Sequence, residues 1–121
     1  MSKNYIKSIV DLNASISRLD ASMPDVMEGY WKMSAAAKAE GSLDEKTKEL
    51  IATAIGIAVR CESCIAVHTK AAVRHGVSRE EVVEALGIAV SMGGGPSVVY
   101  ASQALDAFDQ FAGEKELGKT D

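Results

Sequence analysis

The stretch that decides the fold covers residues 51–68 and reads IATAIGIAVRCESCIAVH. Its apolar residues fill more than one face of a helix and are interrupted only near residues 60–62. This pattern predicts two helices joined by a short turn at that point. The first of them, third in the chain, is predicted at residues 44–59, and the fourth is predicted to begin around residues 61–64 and to end at His75.

The remainder of the chain is also predicted to be helical. Apolar residues recur every three or four positions, and no run of alternating β-branched residues lies between turn signals. We therefore expect an all-α fold of six helices in a single domain over residues 1–121. The other four helices are predicted at about residues 5–19, 24–39, 80–92 and 97–111, and the polar residues 113–121 are predicted to form a flexible tail.

Two capping boxes mark helix starts in the middle of the chain. They are Ser42-Leu43-Asp44-Glu45, before the third helix, and Ser78-Arg79-Glu80-Glu81, before the fifth. In each box we expect the serine and the glutamate to bind backbone amides that have no partner within the helix.

Length and charge limit the classes of protein to which the chain can belong. Its 121 residues include 13 lysines and arginines against 17 aspartates and glutamates, a net charge of −4, and 47% of them are hydrophobic. These values are typical of one globular domain. Binding to nucleic acid is not expected, because the sequence contains no cluster of positive charge.

Nothing in the sequence predicts contact with a membrane or export. No apolar stretch approaches the roughly 18 residues of a membrane-spanning helix, and residues 1–4 are not followed by the apolar core of a signal peptide. We therefore expect a cytoplasmic protein, whose thiols stay reduced. In that compartment, two cysteines three positions apart are more often catalytic or metal-binding than a structural disulfide.

The core is predicted to consist mainly of small side chains, because only 5% of the residues are aromatic. The third, fourth and fifth helices are nevertheless apolar on more than one face, as in residues 51–59 and 82–90. A helix of that kind needs neighbours on several sides. We therefore expect part of this surface to face another copy of the chain in a homo-oligomer.

Three residues in the stretch CESCIAVH have the spacing of a reactive thiol site. Cys64 and His68 are four positions apart, so they lie on one face of the fourth helix, about one turn from each other. A cysteine at the start of a helix has a lowered pKa, because it faces unpaired amides and the positive end of the helix dipole. We predict that Cys64 is the nucleophile, with His68 as its proton acceptor. Cys61 is then the resolving thiol that closes a short disulfide.

Glu49 is a candidate partner of His68. It precedes Cys61 by 12 residues, and a hairpin turning at residues 60–62 brings it within about 7.5 Å of axial rise of the level of His68. With helix axes about 8 to 10 Å apart, the two side chains can meet directly or through one water. A carboxylate there would hold the imidazole in one tautomer and relay protons, with a raised pKa if burial dominates.

The hairpin resembles the alkylhydroperoxidase D (AhpD)-like branch of the carboxymuconolactone decarboxylase superfamily in the spacing of four residues, Glu49, Cys61, Cys64 and His68. The resemblance covers roughly residues 24–112 and implies an all-helical fold that assembles as trimers or hexamers. It implies a thiol-dependent peroxidase, in which Cys64 attacks a peroxide and Cys61 captures the resulting sulfenic acid as a disulfide. Glu49 and His68 are the implied proton relay. The implied chemistry needs no cofactor besides the cysteine pair, and a dithiol or a redox protein is the implied reductant.

Some features depart from the family pattern. Well-characterised peroxidase members have a histidine between their cysteines, where this chain has Ser63, and they resemble this chain over only one half of a longer polypeptide. The decarboxylase that gives the superfamily its name lacks the cysteine pair, so the resemblance does not imply lactone decarboxylation.

Other interpretations of the cysteine pair stay open at the level of sequence. Cys61, Cys64 and His68 could be three ligands of a zinc ion, with His75 too far along the helix to be the fourth. The thiols could also be inert core residues. The alternative to an enzyme is a non-enzymatic oligomer in which a Cys61–Cys64 disulfide acts as a redox switch.

Two further residues have a structural interpretation. Glu49 could be a solvated helix residue that pairs with Lys46 or Thr53. His75 precedes Gly76, a typical helix end, where a cation complements the last carbonyls. We therefore interpret His75 as a structural residue.

Overall fold

Residues 3–118, which the computed structural model describes, form six α-helices and no strand. The helices are α1 (Tyr5–Ser22), α2 (Pro24–Lys38), α3 (Glu45–Ala58), α4 (Glu62–Arg74), α5 (Arg79–Gly93) and α6 (Gly95–Glu116). The predicted all-α fold is confirmed, and each predicted helix corresponds to one of the six. The predicted hairpin is formed by α3 and α4, which only three residues join. Within residues 3–118, no helix is long and apolar enough to span a membrane.

The helix α4 lies at the centre of the bundle, where it packs against α6, α3 and α1. The helix α5 packs against α3 and α6, while α2 contacts α1 and α3 and buries only Met27. The core consists mainly of alanine and β-branched residues, to which Tyr5, Phe108 and Phe111 add buried rings. Small side chains therefore let α4 approach its neighbours closely, as the composition predicts.

The helix α3 ends in a Schellman motif that turns the chain directly into α4. The amide of Arg60 donates to the carbonyl of Ile57 at 3.1 Å, and the amide of Cys61 donates to the carbonyl of Gly56 at 2.9 Å. The motif needs one residue with left-handed backbone, which costs about 1–2 kcal/mol for a residue other than glycine. Arg60 occupies this position with a φ of 58°. The motif thereby fixes the position of Cys61 relative to α3.

The predicted capping box before α5 is confirmed, and the one before α3 is wrong. Oγ of Ser78 accepts the amide of Glu81 at 3.1 Å, and the carboxylate of Glu81 accepts the amide of Ser78 at 2.8 Å. The helix α3 is instead capped by Asp44, whose carboxylate accepts the amide of Thr47 at 2.8 Å. Asp44 has the extended backbone of an N-cap residue, so α3 begins two residues later than a box starting at Ser42 requires.

The helix α6 is longer than predicted. It continues to Glu116, so the predicted flexible tail is wrong for residues 113–116. Lys115 stabilises this last turn, because its Nζ donates to the carbonyl of Val73 near the end of α4 at 2.9 Å. Residues 119–121, the end of the predicted tail, lie outside the described residues.

The start of α1 is held by contacts with two other helices. The amide of Tyr5 donates to Oε1 of Gln110 at 2.8 Å, and Nε2 of Gln110 donates to the carbonyl of Lys3 at 2.7 Å. The ammonium group of Lys3 also forms an ion pair with Glu62, the first residue of α4, at 2.7 Å. These contacts attach α1 beside the turn that carries the cysteines.

Candidate active site

The two cysteines lie at the start of α4 and are joined by a disulfide. Cys61 is the N-cap residue of the helix, Cys64 lies in its first turn, and their Cα atoms are 5.2 Å apart. Both residues are half-buried. The spacing therefore permits the short disulfide that the sequence predicts.

A hydrogen bond to the sulfur of Cys61 was not predicted. Sγ of Cys61, the N-cap residue, accepts the backbone amide of Cys64 at 3.2 Å. Cys61 thus takes the role that a serine or aspartate oxygen has at other helix starts. The two sulfurs therefore have different neighbours. The sulfur of Cys61 accepts a helix amide, whereas Cys64 has His68 one turn further along the same helix.

Gly56 allows α3 to pass directly against the first turn of α4. A Cβ atom built on Gly56 would lie 3.1 Å from Cβ of Cys64 and 3.9 Å from the backbone nitrogen of Ile65. Sequence analysis missed this role because it counted Gly56 only as part of an apolar run. The available signal was a glycine in the interior of a helix. Such a glycine lowers helix stability, so its presence indicates a position where close packing leaves no room for a side chain.

Glu49 and His68 make direct contact across the α3–α4 interface. Nδ1 of His68 lies 3.0 Å from Oε2 of Glu49, and their side chains are only 17% and 5% exposed. The predicted meeting of the two residues is therefore direct, without a bridging water. Because the carboxylate accepts a hydrogen bond from Nδ1, the other ring nitrogen, Nε2, is left for other partners.

The charge of Glu49 is set by opposing effects. Burial alone would raise its pKa, but the hydrogen bond from His68 and the positive charges of His68, Lys38 and His75 outweigh that effect. The pKa of Glu49 is therefore lowered. The sequence predicts a raised pKa if burial dominates, but here the hydrogen bond and the positive charges together outweigh burial. The carboxylate is ionised at neutral pH and holds the proton of His68 on Nδ1.

The interpretation of Glu49 as a solvated residue is wrong. Glu49 is only 4% exposed. Lys46 pairs instead with Glu81 at 3.2 Å, and the hydroxyl of Thr53 donates to the main-chain carbonyl of Glu49 at 2.8 Å. The carboxylate of Glu49 is therefore left to interact with His68.

His75 lies apart from the cysteine pair, as the structural interpretation predicts. It is the C-cap residue of α4, and its Nδ1 is 3.4 Å from Oε2 of Glu45 at the start of α3. In the part of the chain from residue 3 to residue 118, no group of three or more histidine, cysteine, aspartate or glutamate side chains is placed to hold a metal ion.

Comparison with known sequences gives one family match and a close relative. The model of the carboxymuconolactone decarboxylase family matches residues 24–107, a span that contains the cysteine pair, Glu49 and His68. An uncharacterized protein of Cupriavidus necator is 39% identical over 101 residues, which cover 84% of this chain and 89% of that protein.

Two solved structures share the fold. The apo form of a carboxymuconolactone decarboxylase family protein from Legionella pneumophila is 42% identical, with a TM-score of 0.87 over 89% of this chain and 96% of that one. A protein of the same family from Thermotoga maritima, for which a role in an antioxidative response is suggested, is 26% identical. Its TM-score is 0.84 over 93% of this chain and 97% of that one. The resemblance is thereby confirmed at the level of the family.

We predict that Gly56→Ala lowers the stability of the protein. In an uncrowded helix this change raises the free energy of unfolding, by up to about 1 kcal/mol. At Gly56 the added methyl group meets Cys64 at 3.1 Å and pushes α3 away from α4. We therefore expect a net loss of about 1 kcal/mol in urea unfolding.

Gly87→Ala in α5 is the matched control, because a Cβ atom there has no neighbour within 4 Å. We expect this variant to gain up to about 1 kcal/mol. Equal gains in the two variants would show that Gly56 is not needed for close packing.

We also predict that ionised Glu49 stabilises the protein at neutral pH. Because its pKa is lowered in the folded state, this contribution is present above the ordinary carboxyl pKa of about 4.3 and is lost as the pH falls through the lower folded pKa. Glu49→Gln should therefore unfold at lower urea concentration than the wild type at pH 7. The difference should shrink as the pH is lowered from about 5 to about 3.

Glu84→Gln, at an exposed position of α5, serves as the control and should follow the wild type throughout. A stability difference for Glu49→Gln that stays constant or grows on acidification would contradict the ionised pair.

Proposed function

The chain belongs to the carboxymuconolactone decarboxylase family, and we propose that it is a thiol-dependent peroxidase that reduces hydroperoxides with Cys61 and Cys64. The observation that carries the proposal is the direct contact of Glu49 with His68 beside the disulfide-forming pair. A carboxylate, an imidazole and two sulfurs on packed helices are the groups that this chemistry needs. The antioxidative role suggested for the Thermotoga maritima protein supports the same reaction class.

In the first proposed step, the thiolate of Cys64 attacks one oxygen of the hydroperoxide. A sulfur–oxygen bond forms, the oxygen–oxygen bond breaks, and the alcohol leaves after taking a proton. His68 is the group proposed to move protons at this sulfur, because it lies one helical turn after Cys64. Cys64 is left as a sulfenic acid.

In the second proposed step, the sulfur of Cys61 attacks the sulfenic acid. A sulfur–sulfur bond forms, the sulfur–oxygen bond breaks, and the oxygen leaves as water after protonation. The short separation of the two Cα atoms, 5.2 Å, supports this step because no large backbone movement is required. The disulfide present in the structure is the oxidised state of the proposed cycle.

Glu49 has a positioning role in this proposal. Its carboxylate accepts the hydrogen bond from Nδ1 of His68 and keeps the proton on that nitrogen. Nε2 is then the nitrogen that exchanges protons with the sulfur and the departing oxygen. The ionised carboxylate also stabilises the positive charge that the imidazole acquires when it takes a proton.

The cycle closes when a dithiol or a redox protein reduces the disulfide. Two electrons then pass from the reductant to the cysteine pair, so the proposed cycle needs no further cofactor. Because thiols stay reduced in the cytoplasm, we propose that the protein works there.

The outer faces of α2 and α3 form an apolar surface that we propose to be covered by a second copy of the chain. Ile51 and Ile55 of α3 and its C-cap residue Val59 follow one another every four residues and are 43%, 56% and 64% exposed. Tyr30 and Met33 of α2 line a groove of about 330 Å³ together with Ile51 and Ile55. Contiguous exposed apolar surface of this kind is typical of a protein–protein contact.

We predict that the reduced protein consumes hydroperoxide catalytically when a dithiol is present in excess. Cys64→Ser should abolish consumption, because the attacking sulfur is lost. Cys61→Ser should still form a sulfenic acid on Cys64, detectable with dimedone by mass spectrometry, but should not turn over. Peroxide consumption and dimedone labelling are measured on the same preparations.

One stoichiometric oxidation of the wild type without turnover would contradict the peroxidase and favour the redox switch. A sulfenic acid in Cys64→Ser but not in Cys61→Ser would show that the helix amide at Cys61, and not His68, selects the nucleophile.

We predict that the wild type sediments as an oligomer and that Ile55→Glu sediments as a smaller species. A carboxylate at this position cannot be buried against a second copy without a large desolvation cost. Val10→Glu on α1, where Val10 is 62% exposed, should leave the mass unchanged. A monomeric wild type, or the same mass for Ile55→Glu, would contradict the proposed contact surface.

A further inference from the structure

The turn before the cysteine pair has a strained residue where the fold would accept glycine. Arg60 has a φ of 58° and, among residues 3–118, is the only residue other than glycine with a positive φ. It lies in the left-handed position of the Schellman motif that ends α3, directly before Cys61. A side chain in this position makes the turn less stable than glycine would.

The end of α4 shows the same motif without the strain. The amide of Gly76 donates to the carbonyl of Val73 at 3.1 Å, and the amide of Val77 donates to the carbonyl of Ala72 at 3.0 Å. Gly76 takes the left-handed position with a φ of 81°. Since glycine completes this motif in the same protein, the geometry of the turn does not by itself account for an arginine at residue 60.

The positive charge of Arg60 has no partner within the described part of the chain. The residue is exposed, and its guanidinium group makes no hydrogen bond or ion pair with residues 3–118. The acidic residue nearest in sequence, Glu62, is bound by Lys3 at 2.7 Å. Because Lys3 occupies Glu62, the charge of Arg60, the residue directly before Cys61, has no acidic partner among residues 3–118.

We propose that Arg60 is a specificity-determining residue that binds the negatively charged group of the thiol that reduces the Cys61–Cys64 disulfide. This inference rests on the proposed thiol chemistry and adds the class of its reductant, a thiol or dithiol that carries a carboxylate. The guanidinium group suits this task, because its planar donors match a carboxylate and it stays charged at every physiological pH.

The reduction occurs in two exchanges. In the first, the thiolate of the reductant attacks Sγ of Cys61, a mixed disulfide forms, and Cys64 leaves as a thiolate that takes a proton through His68. In the second, another reductant thiolate attacks the reductant sulfur of the mixed disulfide and releases Cys61 as a thiolate, which is then protonated. The reductant leaves as a disulfide after giving two electrons to the protein. Attack at Cys61 brings the reductant to the residue that follows Arg60.

The test measures how fast three small thiols reduce the oxidised protein in the absence of peroxide. The probes are 3-mercaptopropionate, which is anionic, 2-mercaptoethanol, which is neutral, and cysteamine, which is cationic. Samples are quenched with iodoacetamide, and the alkylated cysteines are quantified by mass spectrometry. Because no peroxide is present, this reaction is measured whether or not the protein turns peroxide over.

Arg60→Gln should slow reduction by 3-mercaptopropionate about three- to fivefold, the range of an exposed charge pair. It should leave the rate with 2-mercaptoethanol unchanged and raise the rate with cysteamine. Arg60→Lys should retain the preference for the anionic thiol, and high salt should weaken that preference in the wild type. Equal slowing with all three thiols, or no change with any, would overturn the proposal.

Arg60→Gly distinguishes the effect of the arginine charge on reduction from the effect of its backbone strain on stability. This variant should unfold at a higher urea concentration than the wild type, since the strain is relieved, and should still lose the preference for 3-mercaptopropionate. Arg74→Gln, which removes an exposed cation from the last turn of α4, should leave all three rates unchanged. A stabilised Arg60→Gly variant that keeps the wild-type preference would also overturn the proposal.

Discussion

The site depends on how closely α3 packs against the first turn of α4. Gly56 permits this approach because it leaves room for Cys64. The Schellman motif at Arg60 sets the length and direction of the connection between α3 and α4. With this register, Glu49 and His68 meet at 3.0 Å although they are 19 residues apart. Packing of two rigid helices, and not a flexible loop, therefore brings the carboxylate, the imidazole and the sulfurs into one region.

The contact of Glu49 with His68 links the stability of the hairpin to the chemistry of the site. A buried carboxylate is unfavourable unless hydrogen bonds and opposite charge compensate its lost hydration. The hydrogen bond from His68 and neighbouring positive charge, including that of Lys38, provide this compensation, and the pKa of Glu49 is lowered despite burial. The same pairing leaves one nitrogen of the imidazole available. A substitution at Glu49 or His68 will therefore also alter the packing of α3 on α4.

Periodicity and helix dimensions were sufficient to predict the hairpin and the meeting of Glu49 with His68, since both follow from regular geometry. The left-handed backbone of Arg60 could not be predicted, because sequence rules expect glycine there. Rules for helix capping describe oxygen side chains, so they did not assign the sulfur of Cys61 to an amide. In the last turn of α6, Lys115 donates to a carbonyl 42 residues away, and no local sequence pattern contains such a contact.

The attachment of α1 through Gln110 has a consequence for the order of folding. Tyr5 and Gln110 are 105 residues apart, whereas the α3–α4 hairpin closes over three residues. Closing a long loop costs more conformational entropy than closing a short one, so local contacts form first. The two sulfurs are thus brought together in a chain whose first helix is still undocked, and oxidation can link them before the tertiary structure is complete.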